Sequence, residues 1–236
     1  MNIRMITAEA IDLAPLKEFY HNTLDLPLAG EDDHSFTIEM GQTELEFRQH
    51  TGNLHPVYHF AINIPANKIE EAASWMQSKA SMILPEGSNN NIVNFANWHA
   101  KSIYFFDPAG NILELIARFD LDNASETPFS AQQFLSVSEV ALVCAQEELE
   151  AKTNQLLNDF HLSYFDKQPP LETFRAIGDD EGLFILSAEG RAWYPTKDRI
   201  AEPAPLKVYF SHGTSDSLLE YDHELQSWSS TMVRFT

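Results

Sequence analysis

The chain has 236 residues, of which 44% are hydrophobic and 21% are charged, so it holds enough apolar material for one large domain or two small ones. Its 35 acidic and 15 basic side chains give a formal net charge of −20. Because this negative field repels phosphate backbones and anionic lipids, we expect neither nucleic acid nor a membrane as a partner.

Cysteine usage and the N-terminal residues indicate the cellular compartment. Cys144 is the single cysteine, which excludes an intramolecular disulfide and a cysteine-rich metal site. It lies in an apolar run, where a buried and inert thiol is expected. The N-terminal residues lack the apolar segment and cleavage site of a signal peptide, and no apolar run approaches the roughly 20 residues that span a bilayer. We therefore expect a cytoplasmic protein.

The first part of the chain predicts a strand, a helix and two further strands. The first strand covers Met5–Ile11 and is followed by a helix at Leu13–Tyr20, in which Pro15 is tolerated because it lies in the first turn. Strands follow near Ser35–Met40 and Thr43–Gln49.

A second unit repeats this order. Its strand Val57–Ile64 leads to a helix at Lys68–Lys79, and an irregular loop at Pro85–Asn97 precedes the strands Ser102–Phe106 and Asn111–Arg118. The helix carries an apolar stripe with helical spacing, which predicts packing on a core and consists of Ile69, Ala72, Ala73 and Met76.

A third and weaker unit follows a polar stretch, Asp120–Ala131, that reads as a linker. Its predicted elements are the strand Val137–Cys144, a helix from about Gln146 to Phe160, and strands near Thr173–Ile177, Leu183–Leu186 and Lys207–Ser211. The tail from Gly213 has no repeat partner in the sequence.

The segment Tyr104–Ile116 carries the strongest local signal. Pro108 fixes its own φ angle, and Gly110 or Asn111 can take the left-handed conformation that a tight hairpin needs. Glu114 then lies between aliphatic residues on the second strand of the hairpin. Burial of a lone carboxylate costs several kcal/mol, so we expect Glu114 to be paired, protonated or bound to a cation.

The phrase Tyr-Phe-Phe-Asp-Pro-Ala-Gly-Asn-Ile-Leu-Glu-Leu, from Tyr104 to Leu115, resembles the closing hairpin of the vicinal oxygen chelate superfamily. Phe19-Tyr20 followed by Leu24–Pro27 resembles its first helix and exit. The resemblance covers residues 3–118 well and 135–211 more weakly. It implies an α+β fold of tandem βαβββ modules in half-open curled sheets, with three module copies. Residues 1–119 would form a paired-module domain, 120–132 a linker, and 133–236 a third module with a tail.

The resemblance also implies a site for a divalent metal, whose ligands come from the first and last strands of each module. Carried over by position, the ligands are Glu46, His59 and Glu114, while the remaining position is occupied by Met5, a departure because a thioether is a poor ligand for such cations. Imidazole and carboxylate ligands suit Zn, Fe, Mn or Ni and do not choose between them. Glu46 and Glu114 would also be catalytic, and His99 could donate or accept protons.

Each of these residues has a structural alternative. His59 could be a core histidine bonded to a carbonyl group, and Glu114 could pair with an arginine or lysine of a neighbouring strand. Glu46 lies in an alternating strand, a pattern that equally describes one face in water. His99 could be a surface histidine at the end of a loop.

The third unit is expected to be structural. Its first-strand ligand position is Glu139, but its closing hairpin lacks the Asp-Pro-Ala-Gly-Asn phrase and the strand Leu206–Phe210 carries no carboxylate. The loop at Gly190–Pro195 is expected to reach over a neighbouring element.

Three functions remain open at this stage. The first is a metal-dependent enzyme acting on a small substrate that chelates the ion through adjacent oxygens, by lyase, isomerase or dioxygenase chemistry, with the metal stabilising negative charge or activating oxygen. The second is a metal-free protein that sequesters a small molecule, as bleomycin-resistance proteins do. In the third, the odd module serves oligomerisation, and a homodimer in which two third modules cover each other is expected.

Overall fold

A computed structural model of the chain describes residues 1–222 and 227–233. In this part of the chain, the strands before the central polar stretch are β1 (Asn2–Ala10), β2 (Leu28–Glu31), β3 (Ser35–Met40), β4 (Thr43–Gln49), β5 (His59–Ile64), β6 (Ser81–Ile83), β7 (Val93–Phe95), β8 (Ala100–Phe106) and β9 (Ile112–Arg118). The strands after it are β10 (Ser136–Cys144), β11 (Phe174–Asp179), β12 (Gly182–Ala188), β13 (Leu206–His212), β14 (Ser215–Asp222) and β15 (Ser227–Val233).

Three α-helices pack on these strands within the described residues. They are α1 (Leu13–Lys17), which continues as a π-helical turn over Glu18–Thr23, α2 (Ile69–Met76) and α3 (Leu149–Asp159). The predicted apolar stripe of α2 is confirmed, since Ile69, Ala72, Ala73 and Met76 are all buried in the core. None of these helices is long and apolar enough to cross a membrane.

The strands form two mixed sheets, and with the helices they confirm the predicted α+β class. The first sheet has the order β15-β14-β13-β1-β4-β3-β2, and the second has the order β11-β12-β10-β5-β9-β8-β6, with β7 paired to β8. One apolar core contains residues of both sheets; for example, the Phe184 ring of the second sheet lies 5.0 Å from the Phe210 ring of the first.

The pairing of the units differs from the prediction. The first and second units do not pair with each other, because β1 pairs antiparallel with β13 while β5 pairs antiparallel with β10. The prediction that residues 3–118 form a paired cleft by themselves is therefore wrong. The physical reason is that the open edge of each first strand is filled by a strand from beyond the polar stretch, and local sequence signals do not specify such long-range partners.

The polar stretch predicted as a linker packs against the fold. The Phe129 ring is buried and lies 5.6 Å from the Trp75 ring of α2, and the Phe129 amide donates a hydrogen bond to Glu71. Each sheet takes strands from both sides of this stretch, so hydrogen-bonded strands as well as the connecting chain join the two halves.

The C-terminal tail completes the first sheet, so the description as three module copies does not hold. Strands β13, β14 and β15 continue that sheet beyond β1, and the predicted strand at Lys207–Ser211 belongs there instead of with the third unit. The sequence placed a strand or helix at Ser217–Trp228; β14 and β15 cover both ends of this segment, and 223–226 lie outside the described residues. Because β10 of the third unit is paired with β5, the reason for expecting a homodimer is removed.

The hairpin between β8 and β9 has the predicted turn. Gly110 takes the left-handed conformation with φ +86°, and the Asp107 carboxylate accepts hydrogen bonds from the amides of Ala109 and Asn111, each at 2.9 Å. This turn fixes the start of β9 and therefore the position of Glu114 on it.

Candidate metal centre

Three buried side chains with metal-binding groups meet on one face of the second sheet. They are His59 on β5, Glu114 on β9 and Glu139 on β10, and one ligand atom from each lies within 4.8 Å of the others. The strand register explains the meeting, because Ala61 of β5 pairs with Glu114 on one side and with Glu139 on the other. Paired residues point to the same face, and His59 lies two residues before Ala61 on that face. The small Ala61 side chain leaves room for the two carboxylates to converge.

His59 is held in the tautomer that a ligand requires. Its Nδ1 lies 3.0 Å from the Ile112 carbonyl oxygen, to which it can donate, while its Nε2 is 3.7 Å from Glu114 Oε2. Burial lowers the pKa of His59 to about 4, and the positive charge of Arg191 acts in the same direction. The imidazole is therefore neutral near pH 7, with the Nε2 lone pair directed to the cluster.

The two carboxyl groups are costly to ionise together. Burial, together with the charge of Glu139, raises the pKa of Glu114 to about 8. Burial also raises the pKa of Glu139, against the opposing effect of Arg118. Two buried carboxylates at this separation favour a state in which they share a proton, unless a cation binds between them.

Arg118, at the end of β9, already supplies one positive charge to the cluster. Its side chain is fully buried and bonds to Glu139, to Asp180 at 3.4 Å and to Asn63 at 3.2 Å. An arginine partner was the structural alternative considered for Glu114, but the structure shows that this arginine, Arg118, pairs with Glu139. The guanidinium fixes the orientation of Glu139 and leaves Glu114 without an ion pair to a lysine or arginine among the described residues.

A cavity of about 250 Å³ opens directly above the cluster. Besides the three cluster residues, its walls are largely aromatic and consist of Phe95, Trp98, Tyr104, Phe174, Trp193 and Tyr194, with Gln168, Leu171, Ile185 and Arg191 completing the lining. The Trp193 ring is 5.6 Å from the His59 ring, and Tyr194 contacts Tyr104.

Trp193 belongs to the loop at Gly190–Pro195, which was expected from the sequence to reach over a neighbouring element. This loop folds as a hairpin in which the Trp193 amide donates to the Arg199 carbonyl at 2.8 Å and the Gly190 amide donates to the Ala201 carbonyl at 2.9 Å. The loop therefore brings Trp193 and Tyr194 onto the cavity from the chain segment between β12 and β13.

The fourth position of the cluster is apolar. On β9, Glu114 lies two residues after Ile112, the residue that pairs with His59. The matching residue on β12 is Ile185, which lies two residues after Leu183, the residue that pairs with Glu139. Ile185 lines the cavity and offers no ligand atom. The site thus has three candidate protein ligands and leaves the remaining coordination positions to water or substrate.

These donors fit a divalent transition metal. One neutral imidazole nitrogen and two carboxylate oxygens suit Zn, Fe, Mn or Ni. A bound cation would also reduce the repulsion and the burial cost that raise the pKa values of the two carboxyl groups. His59, Glu114 and Glu139 are the residues that would hold the ion.

Glu46, which the sequence analysis assigned to the same cluster, lies in the other sheet. It is buried on β4, where its Oε2 accepts a hydrogen bond from Thr7 at 2.9 Å and forms an ion pair with Arg48 at 3.0 Å. The prediction that Glu46 converges with His59 and Glu114 is wrong, because β4 pairs with β1 in the first sheet.

His99 is on the surface. Its side chain is 61% exposed, its Nδ1 is 2.7 Å from Asp120 Oδ1, and it does not line the cavity, although the preceding Trp98 does. His99 therefore matches the structural alternative, a surface histidine at the end of a loop, and lies outside the cavity lining.

Glu139 and Arg118 are the residues that the sequence analysis missed as parts of the site. The signal for Glu139 was present, since it occupies the first-strand ligand position of the third unit. It was set aside because the closing hairpin of the third unit lacks the Asp-Pro-Ala-Gly-Asn phrase and the strand Leu206–Phe210 carries no carboxylate. Arg118 gave no signal beyond its position at the end of a buried strand.

The arrangement of the two mixed sheets is found in solved structures of glyoxalase I. Two solved structures of glyoxalase I mutants from Zea mays share this fold over 98% of the chain, one at 12% identity with a TM-score of 0.58 over 93% of its own length, the other at 11% identity with a TM-score of 0.55 over 92%. At these identities the similarity concerns the fold alone.

A lactoylglutathione lyase structure from Agrobacterium tumefaciens matches about half of the chain, with 18% identity, 48% of this chain and 90% of that chain covered, and a TM-score of 0.39. No protein-family model and no curated protein matches the sequence.

Proposed function

We propose that the protein is a divalent-metal-dependent enzyme acting on a small molecule that chelates the ion through two adjacent oxygen atoms, with lyase, isomerase or dioxygenase chemistry. The observation that carries the proposal is the buried cluster of His59, Glu114 and Glu139, whose ligand atoms lie within 4.8 Å of one another at the base of a cavity. Three ligands and an apolar fourth position leave coordination sites for two substrate oxygens.

A bound divalent ion would supply Lewis-acid stabilisation of negative charge on the substrate. The protein residues prepare the site for this chemistry. The hydrogen bond from His59 to the Ile112 carbonyl keeps Nε2 free to coordinate, and Arg118 holds Glu139 in a fixed orientation. Glu114 lines the cavity, where it is placed to carry a proton to or from a bound substrate.

The aromatic walls give the cavity the low polarity that strengthens electrostatic interactions inside it. Trp193 covers His59, and Tyr104 and Tyr194 stand beside Glu114, so the inner end of a bound substrate would contact aromatic side chains. A site of this kind favours a small molecule over a peptide or polymer.

Metal titration of chelator-treated protein tests the proposal. We expect near-stoichiometric binding of Zn²⁺ or Mn²⁺ by isothermal titration calorimetry, with loss of affinity of about 100-fold or more in His59→Ala and Glu114→Gln, since each removes one of three ligands. Glu46→Gln is the matched control, because it neutralises a buried carboxylate of the other sheet and should bind the ion like wild type. Equal affinity in Glu114→Gln and wild type would reject the proposal.

A second function, metal-free binding of a small molecule, is favoured by one observation. Arg118 already neutralises Glu139, so the cluster carries an internal cation. In that case the apo protein binds its ligand in the aromatic cavity, and chelator treatment leaves ligand affinity unchanged. The same titration separates the two functions, because a sequestration protein of this kind takes up no stoichiometric metal.

A further inference from the structure

The cavity contains a positively charged residue that the proposed metal chemistry does not use. Charged side chains in its lining are Glu114, Glu139 and Arg191. Glu139 pairs with Arg118, and both glutamates belong to the cluster of candidate ligands. Arg191 lies on the hairpin loop between β12 and β13 and not on a strand of the cluster, although its charge acts on His59.

Arg191 has no acidic partner within residues 1–222 and 227–233. Its guanidinium lies over the Phe174 ring, with the central carbon 4.9 Å from the ring centre, and it makes no salt bridge with a described carboxylate. It is half-buried, and burial lowers the pKa of its guanidinium. A chain with a net charge of −20 has many carboxylates available, so an unpaired, half-buried arginine facing a cavity calls for an anion from outside the protein.

The loop holds Arg191 in position instead of leaving it to move freely. The Ala201 amide donates to the Arg191 carbonyl at 2.8 Å, and the Arg191 amide donates to the Ala188 carbonyl at 3.3 Å. Stacking on Phe174 restricts the guanidinium further. A guanidinium fixed in this way presents its planar set of donors to a carboxylate, which it can bind through two parallel hydrogen bonds.

The charge balance favours an anionic ligand as well. A divalent ion would be neutralised by Glu114 and Glu139 once both are ionised, and Arg118 is shared between Glu139 and Asp180. Arg191 then remains as the uncompensated charge of the lining. A ligand with one negative charge outside its chelating oxygens would balance it.

The remaining walls indicate the shape of the ligand. Trp98, Tyr104 and Trp193 present aromatic surfaces to the cavity, and aromatic walls bind flat rings through stacked or edge-on contacts. The volume of about 250 Å³ is below the range of drug-sized ligand pockets, so one ring with short substituents fits.

We propose that the cavity binds a small planar-ring carboxylate, with the carboxylate on Arg191 and the two adjacent chelating oxygens directed to the cluster of His59, Glu114 and Glu139. This substrate class rests on the proposed metal-dependent function for its chelating end. The Arg191 end rests on the cavity alone.

A pair of probes that differ only in charge tests the inference. The probes are 3,4-dihydroxybenzoate and 3,4-dihydroxybenzamide, titrated into Zn²⁺-loaded and metal-free protein with tryptophan fluorescence as the readout, since Trp98 and Trp193 line the cavity. A hydrogen-bonded pair with a charged group is worth enough that we expect the benzoate to bind about tenfold or more tightly than the benzamide in wild type. In Arg191→Gln the ratio should fall to about 1, and Arg191→Lys should restore part of it.

Arg199→Gln is the matched control, because it removes the same charge from the same loop. The Arg199 guanidinium lies over Phe106, outside the cavity lining, so this variant should keep the wild-type ratio. A ratio near 1 in wild type, a ratio that survives Arg191→Gln, or no binding of either probe at millimolar concentration would overturn the inference.

Metal titration without probe keeps the two claims apart. Protein that binds no metal but retains an Arg191-dependent preference for the benzoate rejects the proposed function and keeps the anion site. Protein that binds metal but shows no preference keeps the proposed function and rejects the anion site.

Discussion

The two sheets use the same strand register but carry different charges at matching positions. In the second sheet, Ala61 is flanked by Glu114 and Glu139 on its two neighbouring strands. In the first sheet, the matching Thr7 is flanked by Glu46 and Lys207. The position two residues before the central residue is an imidazole in the second sheet, His59, and a thioether in the first, Met5.

These differences between matching positions explain why a cluster of candidate ligands forms in the second sheet and not in the first. Lys207 places a positive charge where the second sheet has a carboxylate, and the Thr7 hydroxyl donates to Glu46. Arg48 adds an ion pair, so Glu46 is satisfied without a metal. On a common backbone frame, the side chains at three register positions therefore decide whether a candidate metal centre forms or a carboxylate that is already hydrogen-bonded and ion-paired.

The largest expected effect on metal affinity comes from replacing His59 of the second sheet by methionine, the residue at the matching position of the first. His59→Met should lower the affinity for Zn²⁺ or Mn²⁺ by about 100-fold or more, because a thioether is a poor ligand for these cations. Calorimetric titration measures the loss. The reciprocal Met5→His should create no site, since Glu46 is already bonded to Thr7 and Arg48 and the position that matches Glu139 is a lysine. Metal binding in the first sheet of that variant would show that the register comparison does not control binding.

Removal of an arginine should affect stability very differently in the two sheets. Arg118→Met leaves Glu139 buried without its cation, and breaking a buried pair of this kind costs about 3–5 kcal/mol in the free energy of unfolding. Arg48 is 57% exposed, so Arg48→Met should cost only about 0–1 kcal/mol. Urea denaturation of the metal-free proteins measures both values. Equal losses would mean that the Arg118 pair is as solvated as the Arg48 pair.

The pH dependence of stability should also distinguish the second sheet. The folded pKa of Glu114 is raised to about 8 by burial and by the charge of Glu139, so its contribution is full below the unfolded value near 4.5 and is lost as pH rises through about 8. Metal-free protein should therefore lose stability between about pH 5 and 8. Glu114→Gln should reduce that slope, leaving the part due to Glu139, whose pKa burial also raises, whereas Glu46→Gln should keep the full slope.

The same shift predicts the pH dependence of metal binding. Binding requires Glu114 to be ionised, so proton release should accompany uptake at pH 7 and affinity should rise toward pH 8. Calorimetry in buffers with different ionisation enthalpies counts the released protons. Uptake without proton release would contradict a protonated Glu114 in the metal-free state.

A smaller effect than the loss of Arg118 is expected from Thr7 in the first sheet. Thr7→Ala removes one hydrogen bond to Glu46 but leaves the ion pair with Arg48, so it should cost about 1–2 kcal/mol in stability. Metal affinity should be unchanged, because Thr7 belongs to the other sheet. Thermal and urea unfolding give the first value and titration the second; a change in metal affinity would mean that the two sheets are coupled at this position.

Local features of the fold were predictable from the sequence. The turn at Gly110 and the buried stripe of α2 follow from residue types at fixed spacing, and His59 and Glu114 were correctly placed near each other because they lie on adjacent parallel strands of one unit. These signals act over a few residues or within one unit.

Partners between distant strands were not predictable in the same way. Glu139 joins the cluster because β10 pairs with β5, and Glu46 is excluded because β1 pairs with β13. Both pairings connect segments far apart in sequence, and the alternating apolar pattern of a strand specifies its faces but not its neighbour. The site was therefore predicted with one ligand from the wrong sheet.

The most direct test of the account is an anomalous-scattering map of crystals soaked in Zn²⁺. The account predicts a peak about 2.0–2.2 Å from His59 Nε2 and from carboxylate oxygens of Glu114 and Glu139, the distances of zinc to nitrogen and oxygen ligands. The first sheet should show no peak beside Glu46. A map with no peak at the cluster of the second sheet, or with the ion beside Glu46 instead, would contradict the claim that this cluster is the metal centre.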